Sequence, residues 1–366
     1  MESLDVPSGA SVKVQMIDNG ARIRLPVAQF MTPPIHGHTH MIVPSFSFLV
    51  EQPSTGRKIS FDLGVRKSLQ SLPPVVQTLV AGPDWDFKVS RDVDEILQNN
   101  GVDVKGGAIE AIVWSHWHFD HTGDVGRFPS STVLVTGPGL KKEFFPPYPQ
   151  SEESPLLASD FAAREHRELT FNAHDSLHIG GLESIDYFGD GSFYLLNTPG
   201  HAIGHICELA RVTSTNEGDV EDTFVYMGGD TAHHGGEFRP SDRLPLPEHI
   251  SPSPYTVRFP LVCPGHVFDA IRRATDDSKP FYELLEAVSH NHVDAVRSNE
   301  RMQLFDAADN VFVVIAHDPS ILEKAAGLNT FPFGTMGNWK AVGSAEKTRW
   351  AFLADFIPAV ELLDRS

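Results

Sequence analysis

Residues 111–123 read Ala-Ile-Val-Trp-Ser-His-Trp-His-Phe-Asp-His-Thr-Gly, a short apolar run followed directly by a turn with four metal-ligand side chains. On a tight turn alternate side chains can converge, so His116 and His118 suit one cation, whereas Asp120 and His121 face a second. Imidazole and carboxylate ligands without thiolate suit zinc or another borderline divalent ion. The segment therefore predicts a metal site at a strand end, and the alternative interpretation is a solvated polar loop.

Three later segments repeat this pattern of an apolar run that ends in a polar turn. The runs at 192–196, 223–227 and 311–315 lead to His201, Asp230 and His317, in that order. Runs that are apolar on both sides predict strands covered by helices on both faces, and ligands of such sheets bind at strand ends. We therefore expect the turns to share one cleft, with two metal sites of three protein ligands each and Asp230 shared.

The remaining sequence predicts a hairpin, several covering helices and one long irregular segment. Residues 45–50 and 58–61 are predicted to form the hairpin around Gln-Pro-Ser-Thr-Gly. Ser90 is predicted to cap a helix over 91–100, and 281–288, 293–305 and 348–363 have helical spacing. The proline-rich stretch 232–266 is expected to form a substrate-facing wall, with a mobile surface excursion as the alternative.

Composition limits the classes of partner. The chain has 366 residues and a formal net charge of −19, which disfavours nucleic acid and anionic membranes. It contains no apolar run long enough to span a bilayer. The N-terminal sequence shows no basic and apolar signal pattern, so we expect a cytoplasmic protein. Cys207 and Cys263 are too few for a disulfide framework and are expected to be small buried residues.

The motifs resemble those of the metallo-β-lactamase superfamily. The resemblance runs from about Ser45 to Asp318 and rests on His116-Trp-His-Phe-Asp-His121, Thr198-Pro-Gly-His201, Gly228-Gly-Asp230 and Ala316-His317-Asp318. It implies an α/β fold with four αββα layers, in a single domain over residues 1–366 with an insertion at about 232–266. The family's ligand positions correspond to His116, His118 and His201 at a first metal, to Asp120, His121 and His317 at a second, and to Asp230 between them. Asp62 would orient a ligating histidine, unless it is a plain turn aspartate.

The resemblance also implies a reaction. Two Zn²⁺ ions, or other divalent ions such as Mn, Fe or Co, would share a water and lower its pKa, so that a bridging hydroxide attacks an acyl carbonyl. Asp120 would pass the proton to the leaving group. The implied activity is hydrolysis of an acyl bond.

Within the superfamily the spacing is similar to that of lactonases that open N-acyl homoserine lactones. The shared elements are Ser115–Gly123, Thr198–His205 and His317-Asp318. Those lactonases carry a tyrosine three residues after the bridging aspartate, where this chain has His233, followed by His234. An imidazole there could donate to a carbonyl or a leaving nitrogen, which makes a γ-lactam or an aromatic-fused cyclic carbamate plausible beside a lactone. The alternative is that both histidines only pack beneath the proline-rich segment.

Other functions stay open at this stage. The main alternative is a thioesterase that acts on acyl-glutathione or on a carrier-bound acyl group, and an iron-dependent oxidoreductase or a nuclease is less favoured. We expect a small-molecule substrate, no nucleic acid or membrane partner, and a role in detoxification or secondary metabolism. The sequence does not predict the oligomeric state, and a homodimer is among the alternatives.

Three further groups of histidines are expected to lie outside the metal centre. His36, His38 and His40 resemble a ligand set, but no carboxylate follows, so a rim or surface segment is favoured over a third metal site. His205 is expected to pack against or support the ligands rather than bind metal. His290 and His292 are expected to be solvated.

Overall fold

Two six-stranded sheets form the centre of the computed structural model, which describes residues 4–172, 177–272 and 278–363. In chain order the strands are Lys13–Asp18 (β1), Arg22–Pro26 (β2), Met31–Thr32 (β3), His40–Val43 (β4), Phe46–Gln52 (β5), Arg57–Phe61 (β6), Asp86–Lys88 (β7), Ala111–Val113 (β8), Val133–Thr136 (β9), His166–Glu168 (β10), Leu177–Ile179 (β11), Leu182–Asp186 (β12), Phe193–Asn197 (β13), Ile206–Thr213 (β14), Thr223–Met227 (β15), His249–Ile250 (β16), Cys263–Pro264 (β17), Glu283–Leu284 (β18) and Val311–Val314 (β19). The α-helices are Pro74–Val80 (α1), Val93–Asn99 (α2), Phe119–Thr122 (α3), Leu140–Phe144 (α4), Ala158–Phe161 (α5), His292–Asp306 (α6), Ser344–Thr348 (α7) and Ile357–Leu363 (α8).

The strand directions place the functional turns along one edge of each sheet. The first sheet has the order β1-β5-β6-β8-β9-β10, and β6, β8, β9 and β10 run parallel. The second has the order β11-β12-β13-β14-β15-β19, in which β15 and β19 are parallel and β14 runs opposite to both β13 and β15. Strands β13, β15 and β19 therefore point the same way, and the turns that follow them lie at the same edge.

The two sheets stack face to face over an apolar core, and helices cover their outer faces. Phe48 and Phe61 of the first sheet belong to the same buried cluster as Leu195 and Met227 of the second. Helix α2 packs on the outer face of the first sheet through Ile96 and Leu97. Helix α6 covers the second sheet through Met302 and Phe305. The predicted four-layer αββα sandwich is confirmed.

Several local predictions are confirmed. Strands β5 and β6 form the expected hairpin, with Phe48 opposite Phe61. Helix α6 covers the segment predicted at 293–305, and the Asn291 side chain caps it by accepting a hydrogen bond from the Asp294 N–H. Both cysteines are buried and free. Helix α2 lies within the predicted 91–100, but its N-cap is Asp92 rather than Ser90.

Two segments predicted to be continuous α-helices have a different secondary structure. Within 281–288, strand β18 pairs with β3, and a single 3₁₀ turn follows at Glu286–Val288. The Tyr282 N–H donates to the Gly236 carbonyl, and this hydrogen bond holds the segment extended. The segment 348–363 is divided into a 3₁₀ helix at Ala351–Phe356 and helix α8. Pro358 lies at the second position of α8, where its missing N–H is tolerated, and it could not continue a helix from residue 348.

The proline-rich stretch 232–266 is partly buried against the rest of the fold. Its Ile250 and Cys263 are almost fully buried and pair across β16 and β17. They share an apolar cluster with the small sheet β4-β2-β7 and with Phe356 and Val360 near the C-terminal end. Within the described residues, no helix combines the length and the hydropathy that crossing a membrane requires.

Candidate metal centre

The turn after β8 is held against the strand end of β6 by backbone hydrogen bonds. The Leu63 N–H donates to the His121 carbonyl at 2.8 Å, and the Gly123 N–H donates to the Gly64 carbonyl at 2.9 Å. Gly123 has a φ of +50°, and a Cβ there would lie 2.3 Å from the Leu63 Cβ. Glycine is therefore required for this turn to close, and the closed turn presents its histidines to the cleft.

All the predicted ligands converge at this edge of the sandwich. The first sheet contributes the turn after β8, and the second contributes the turns after β13, β15 and β19. The donor atoms form two groups, and within each group they lie within 4.8 Å of one another: His116, His118, His201 and Asp230 in one, and Asp120, His121, His317 and Asp230 in the other. The structure thus brings together every residue that the sequence singled out as a metal ligand, with Asp230 common to both groups.

In the first group three imidazole nitrogens face one another. His118 Nδ1 lies 2.8 Å from His116 Nε2 and 3.1 Å from His201 Nε2. Asp230 Oδ2 lies 3.7 Å from His116 Nε2 and 3.6 Å from His201 Nε2. Burial lowers the pKa of His118 to about 4 and, together with neighbouring histidines, holds the pKa values of His116 and His201 well below the usual range. These rings are therefore neutral, which is the form that binds metal.

In the second group two imidazole nitrogens face carboxylate oxygens. Asp230 Oδ1 lies 3.1 Å from both His121 Nε2 and His317 Nε2, and Asp120 Oδ2 lies 3.4 Å from His317 Nε2. Burial alone would lower the pKa of His121, but the surrounding carboxylates, led by Asp230, outweigh it and raise this pKa well above the usual range. Burial would likewise raise the pKa of Asp230, yet His121 and His317 hold it well below its ordinary value. This pocket therefore strongly favours positive charge.

Neighbouring groups fix the orientation of these histidines. The buried Asp62 accepts hydrogen bonds from the Ser115 N–H at 2.7 Å and from His121 Nδ1 at 2.8 Å, as its predicted orienting role requires. His317 Nδ1 donates to the Pro44 carbonyl at 2.7 Å. Because these contacts keep a proton on Nδ1 of His121 and of His317, a bound cation would displace the proton on Nε2, and Nε2 would then present its lone pair to the cleft.

His205 supports the centre without joining either group of ligands. Burial lowers the pKa of His205 to about 4, so its ring is neutral. Its Nδ1 donates to the Thr198 carbonyl at 2.9 Å, and its Nε2 accepts the Asp230 N–H at 3.1 Å. The ring thus links the turn that carries His201 to the turn that carries Asp230, as expected from the sequence.

The donor set fits divalent cations. Asp230 Oδ1 and His121 Nε2 are buried and have no hydrogen-bond partner among the described residues, although they face each other. Buried polar atoms without a partner are rare, and an ion is one of the few explanations for them. The two groups offer only imidazole nitrogen and carboxylate oxygen, which suits zinc and similar ions.

His233 borders this centre, whereas His234 faces away from it. His233 Nε2 lies 3.5 Å from Asp230 Oδ2, and its ring is stacked on that of His317 with centroids 5.9 Å apart. The buried Glu237 carboxylate accepts the backbone N–H groups of both His233 and His234, which fixes the turn. His234 Nε2 instead lies 3.2 Å from Asp355 Oδ2.

The sequence analysis missed part of the surroundings of His234. His38 is buried beside it, with ring centroids 5.1 Å apart, so within the segment predicted to form a rim or surface His38 itself is not a surface residue. The Tyr282 hydroxyl lies 2.8 Å from His38 Nδ1, and this buried contact holds the ring in place. The His-x-His-x-His pattern marked His38, but nothing in the sequence marked Asp355 or Tyr282.

Comparisons with known proteins agree with this geometry. A family model described as the metallo-beta-lactamase superfamily matches residues 81–214. The chain is 39% identical over 361 residues to "Gamma-lactamase FDB1" of Fusarium pseudograminearum (strain CS3096), covering 97% of this chain and 84% of that protein. It is 38% identical over 365 residues to "Metallo-hydrolase mfmC" of Annulohypoxylon moriforme, covering 99% of this chain and 92% of that protein.

The fold is also shared with a solved structure. The structure described as "Crystal Structure and Catalytic Mechanism of the Quorum-Quenching N-Acyl Homoserine Lactone Hydrolase" superimposes with a TM-score of 0.54 at 15% identity, over 89% of this chain and 99% of that one. The sequence identity to the two relatives above, which extends over nearly the whole chain, establishes common family membership in addition to a shared fold. On this basis the chain belongs to the metallo-beta-lactamase superfamily.

Proposed function

We propose that this protein is a metal-dependent hydrolase that opens a small cyclic ester or amide, either a lactone or a γ-lactam. The observation that carries the proposal is the pair of donor groups that share the Asp230 carboxylate. A relative named as a gamma-lactamase and another named as a metallo-hydrolase, each matched over nearly the whole chain, support the same class of reaction. The net charge of −19 favours a small-molecule substrate over nucleic acid. We assign it to detoxification or secondary metabolism.

We propose that each donor group holds one divalent ion, preferably zinc. His116, His118 and His201 would hold the first ion, Asp120, His121 and His317 the second, and Asp230 both. When bound, such a pair of ions activates a water molecule for attack and polarises the ring carbonyl.

The protein's own contribution begins with orientation. Asp62 and the Pro44 carbonyl hold His121 and His317 with Nε2 directed inward, and the His205 ring fixes the backbone of Asp230. These contacts are made by groups of the protein itself, so the donor atoms are held in place by more than the ion. Such preorganisation limits the geometry that a bound ion and substrate can adopt.

Asp120 and His233 are the candidate catalytic residues. The side chain of Asp120 is 13% exposed and that of Asp230 is 4% exposed, so Asp120 is the more accessible carboxylate. Asp120 passes a proton to the oxygen or nitrogen that leaves when the ring opens. His233 Nε2 lies beside Asp230 Oδ2 and donates a hydrogen bond to the substrate carbonyl oxygen or to the leaving atom.

A hydrolysis panel tests the proposal. Metal-loaded protein is assayed against γ-lactones, γ-lactams, β-lactams and thioesters, with and without a chelator, and its metal content is measured. We expect ring opening of a lactone or γ-lactam that is lost with the chelator and restored by Zn²⁺. The matched controls are His118→Ala, which should be inactive, and His249→Ala, which removes an exposed histidine outside both donor groups and should retain activity. Chelator-resistant turnover, or preference for thioesters, would contradict the proposal.

A further inference from the structure

Among the described residues, two cavities of very different size touch candidate metal ligands. The cavity beside His201 and Asp230 has a volume of about 10 Å³, enough for no more than a water molecule. The other has a volume of about 330 Å³, which is within the range of small-molecule sites. We call the larger one the His38 chamber; its lining includes His38, His40, His233, His234, His317 and Asp355.

The His38 chamber borders the metal centre through His233 and His317. His317 belongs to the second donor group and also lines the chamber. His233 lies 3.5 Å from Asp230 and lines the chamber as well, and its Nδ1 is buried without a hydrogen-bond partner among the described residues. A substrate whose carbonyl lies at Asp230 therefore has room for the rest of its structure on the His38 side.

A hydrogen-bonded pair, His234 and Asp355, forms one wall of the chamber. His234 Nδ1 accepts the Gly236 N–H at 3.0 Å, so the ring proton is on Nε2 and is donated to Asp355 Oδ2. Donor atoms of His38, His234 and Asp355 lie within 4.8 Å of one another. However, His234 Nδ1 accepts the Gly236 N–H, so Nε2 carries the ring proton and has no lone pair for a metal ion. This cluster therefore does not make a third metal site.

Asp355 gives the chamber a fixed negative charge. Burial would raise its pKa, but the hydrogen bond from His234 and the nearby His38 lower it, so the carboxylate is ionised at neutral pH. Its side chain remains 48% exposed, which leaves room for a second hydrogen bond. Asp318 and Glu323 also line the chamber, and its described lining contains no Lys or Arg. An anionic group placed beside Asp355 would meet this carboxylate with no Lys or Arg in the described lining to offset the repulsion.

We propose that the His38 chamber is a substrate subsite that accepts a neutral or cationic hydrogen-bond donor through Asp355 and rejects an anionic group. This inference rests on the proposed function for the position of the scissile carbonyl. It narrows the substrate class to compact rings whose substituents donate hydrogen bonds. It disfavours acyl-glutathione and phosphate-bearing carrier substrates, which bring negative charge.

The test compares three probes that share a phenyl ring and differ in the charge of its substituent: benzamidinium, benzamide and benzenesulfonate. Their affinities are measured by calorimetry on metal-loaded wild type and Asp355→Asn, which keeps an oxygen to accept the His234 Nε2–H. We expect Asp355→Asn to weaken benzamidinium at least 5-fold, to change benzamide less than 3-fold, and not to weaken benzenesulfonate. Asp309→Asn, an exposed carboxylate outside the chamber, is the matched control and should leave all three affinities unchanged.

The outcomes separate this inference from the proposed function. Equal benzamidinium affinity in wild type and Asp355→Asn would overturn the subsite, even if lactones or lactams are hydrolysed. Probe discrimination that depends on Asp355 would support the subsite even if the hydrolysis panel is negative, in which case the proposed function alone fails. Hydrolysis of S-lactoylglutathione as fast as that of the best neutral ring would overturn the charge selectivity.

Discussion

Asp62→Asn offers the sharpest test of how the second donor group is held. Asp62 Oδ2 accepts from the Ser115 hydroxyl at 2.7 Å and from His121 Nδ1 at 2.8 Å. In the variant an NH₂ group can take the place of that oxygen and oppose the His121 Nδ1–H. The ring would then move its proton to Nε2, the atom directed at Asp230. The backbone should tolerate the change, because Asp62 has a φ of +55° and asparagine is common in that region.

The magnitude follows from the lost hydrogen bond. A bond between an imidazole and an ionised carboxylate contributes about 1.5–3 kcal/mol, which corresponds to a loss of affinity of roughly 10–100-fold at the second ion. The affinity for the first proposed ion, at His116, His118 and His201, should change less than about 3-fold because no hydrogen bond joins Asp62 to any of these rings. The prediction is therefore a selective loss of one of two ions.

The assay is a competition titration of metal-free protein with Zn²⁺ and a chromophoric chelator, which yields two stepwise constants. Circular dichroism checks that the fold is retained. Glu208→Gln is the matched control, since it makes the same carboxylate-to-amide change at another fully buried position and no ligand hydrogen bond to Glu208 is described. If both constants for Asp62→Asn stay within about 3-fold of wild type, the orienting role of Asp62 is wrong.

Three further predictions can be checked with the same protein. His118→Ala or Asp230→Ala should abolish turnover and lower metal content with little change in circular dichroism; activity retained after loss of an ion would contradict the two-ion arrangement. His233→Phe should lower kcat by roughly 10-fold or more with unchanged metal content, and an unchanged kcat would reduce His233 to a packing residue. Burial raises the pKa of Glu208 well above its ordinary value of 4.5, so the contribution of Glu208 to stability is fully present below that pH and is lost as the pH rises through the raised pKa. Glu208→Gln escapes this loss, and urea unfolding should therefore show its advantage growing by about 1 kcal/mol or more from pH 5 to pH 8; a constant difference would mean that Glu208 finds a partner.

The convergence of the candidate metal ligands could be predicted because their sequence signal is local. Each lies within a few residues of an apolar run, and the run predicts a strand while the residue type predicts the chemistry. The strand directions then place His201, Asp230 and His317 at one edge. The hairpin and helix α6 were predictable for the same reason, since spacing and capping within one segment determine them.

The surroundings of the site could not be predicted because they depend on distant parts of the chain. His234 and Asp355 are 121 positions apart, and His38 and Tyr282 are 244 apart. Asp355 lies in a 3₁₀ segment that helical spacing had merged into a longer helix. The pairing of β18 with β3 likewise overrides the helical pattern at 281–288. No periodicity in a single sequence reports which distant segments will meet.

The division of the donor atoms between two sheets has a consequence for how the protein matures. His116, His118, Asp120 and His121 come from the N-terminal half of the chain, and His201, Asp230 and His317 come from the C-terminal half. Neither half alone contains a complete set, so the centre can be assembled only after both halves have been synthesised and have docked. Metal uptake would then be a late event in biogenesis. While only the first half of a nascent chain has emerged from the ribosome, the chain lacks a complete set of donor atoms to bind an ion.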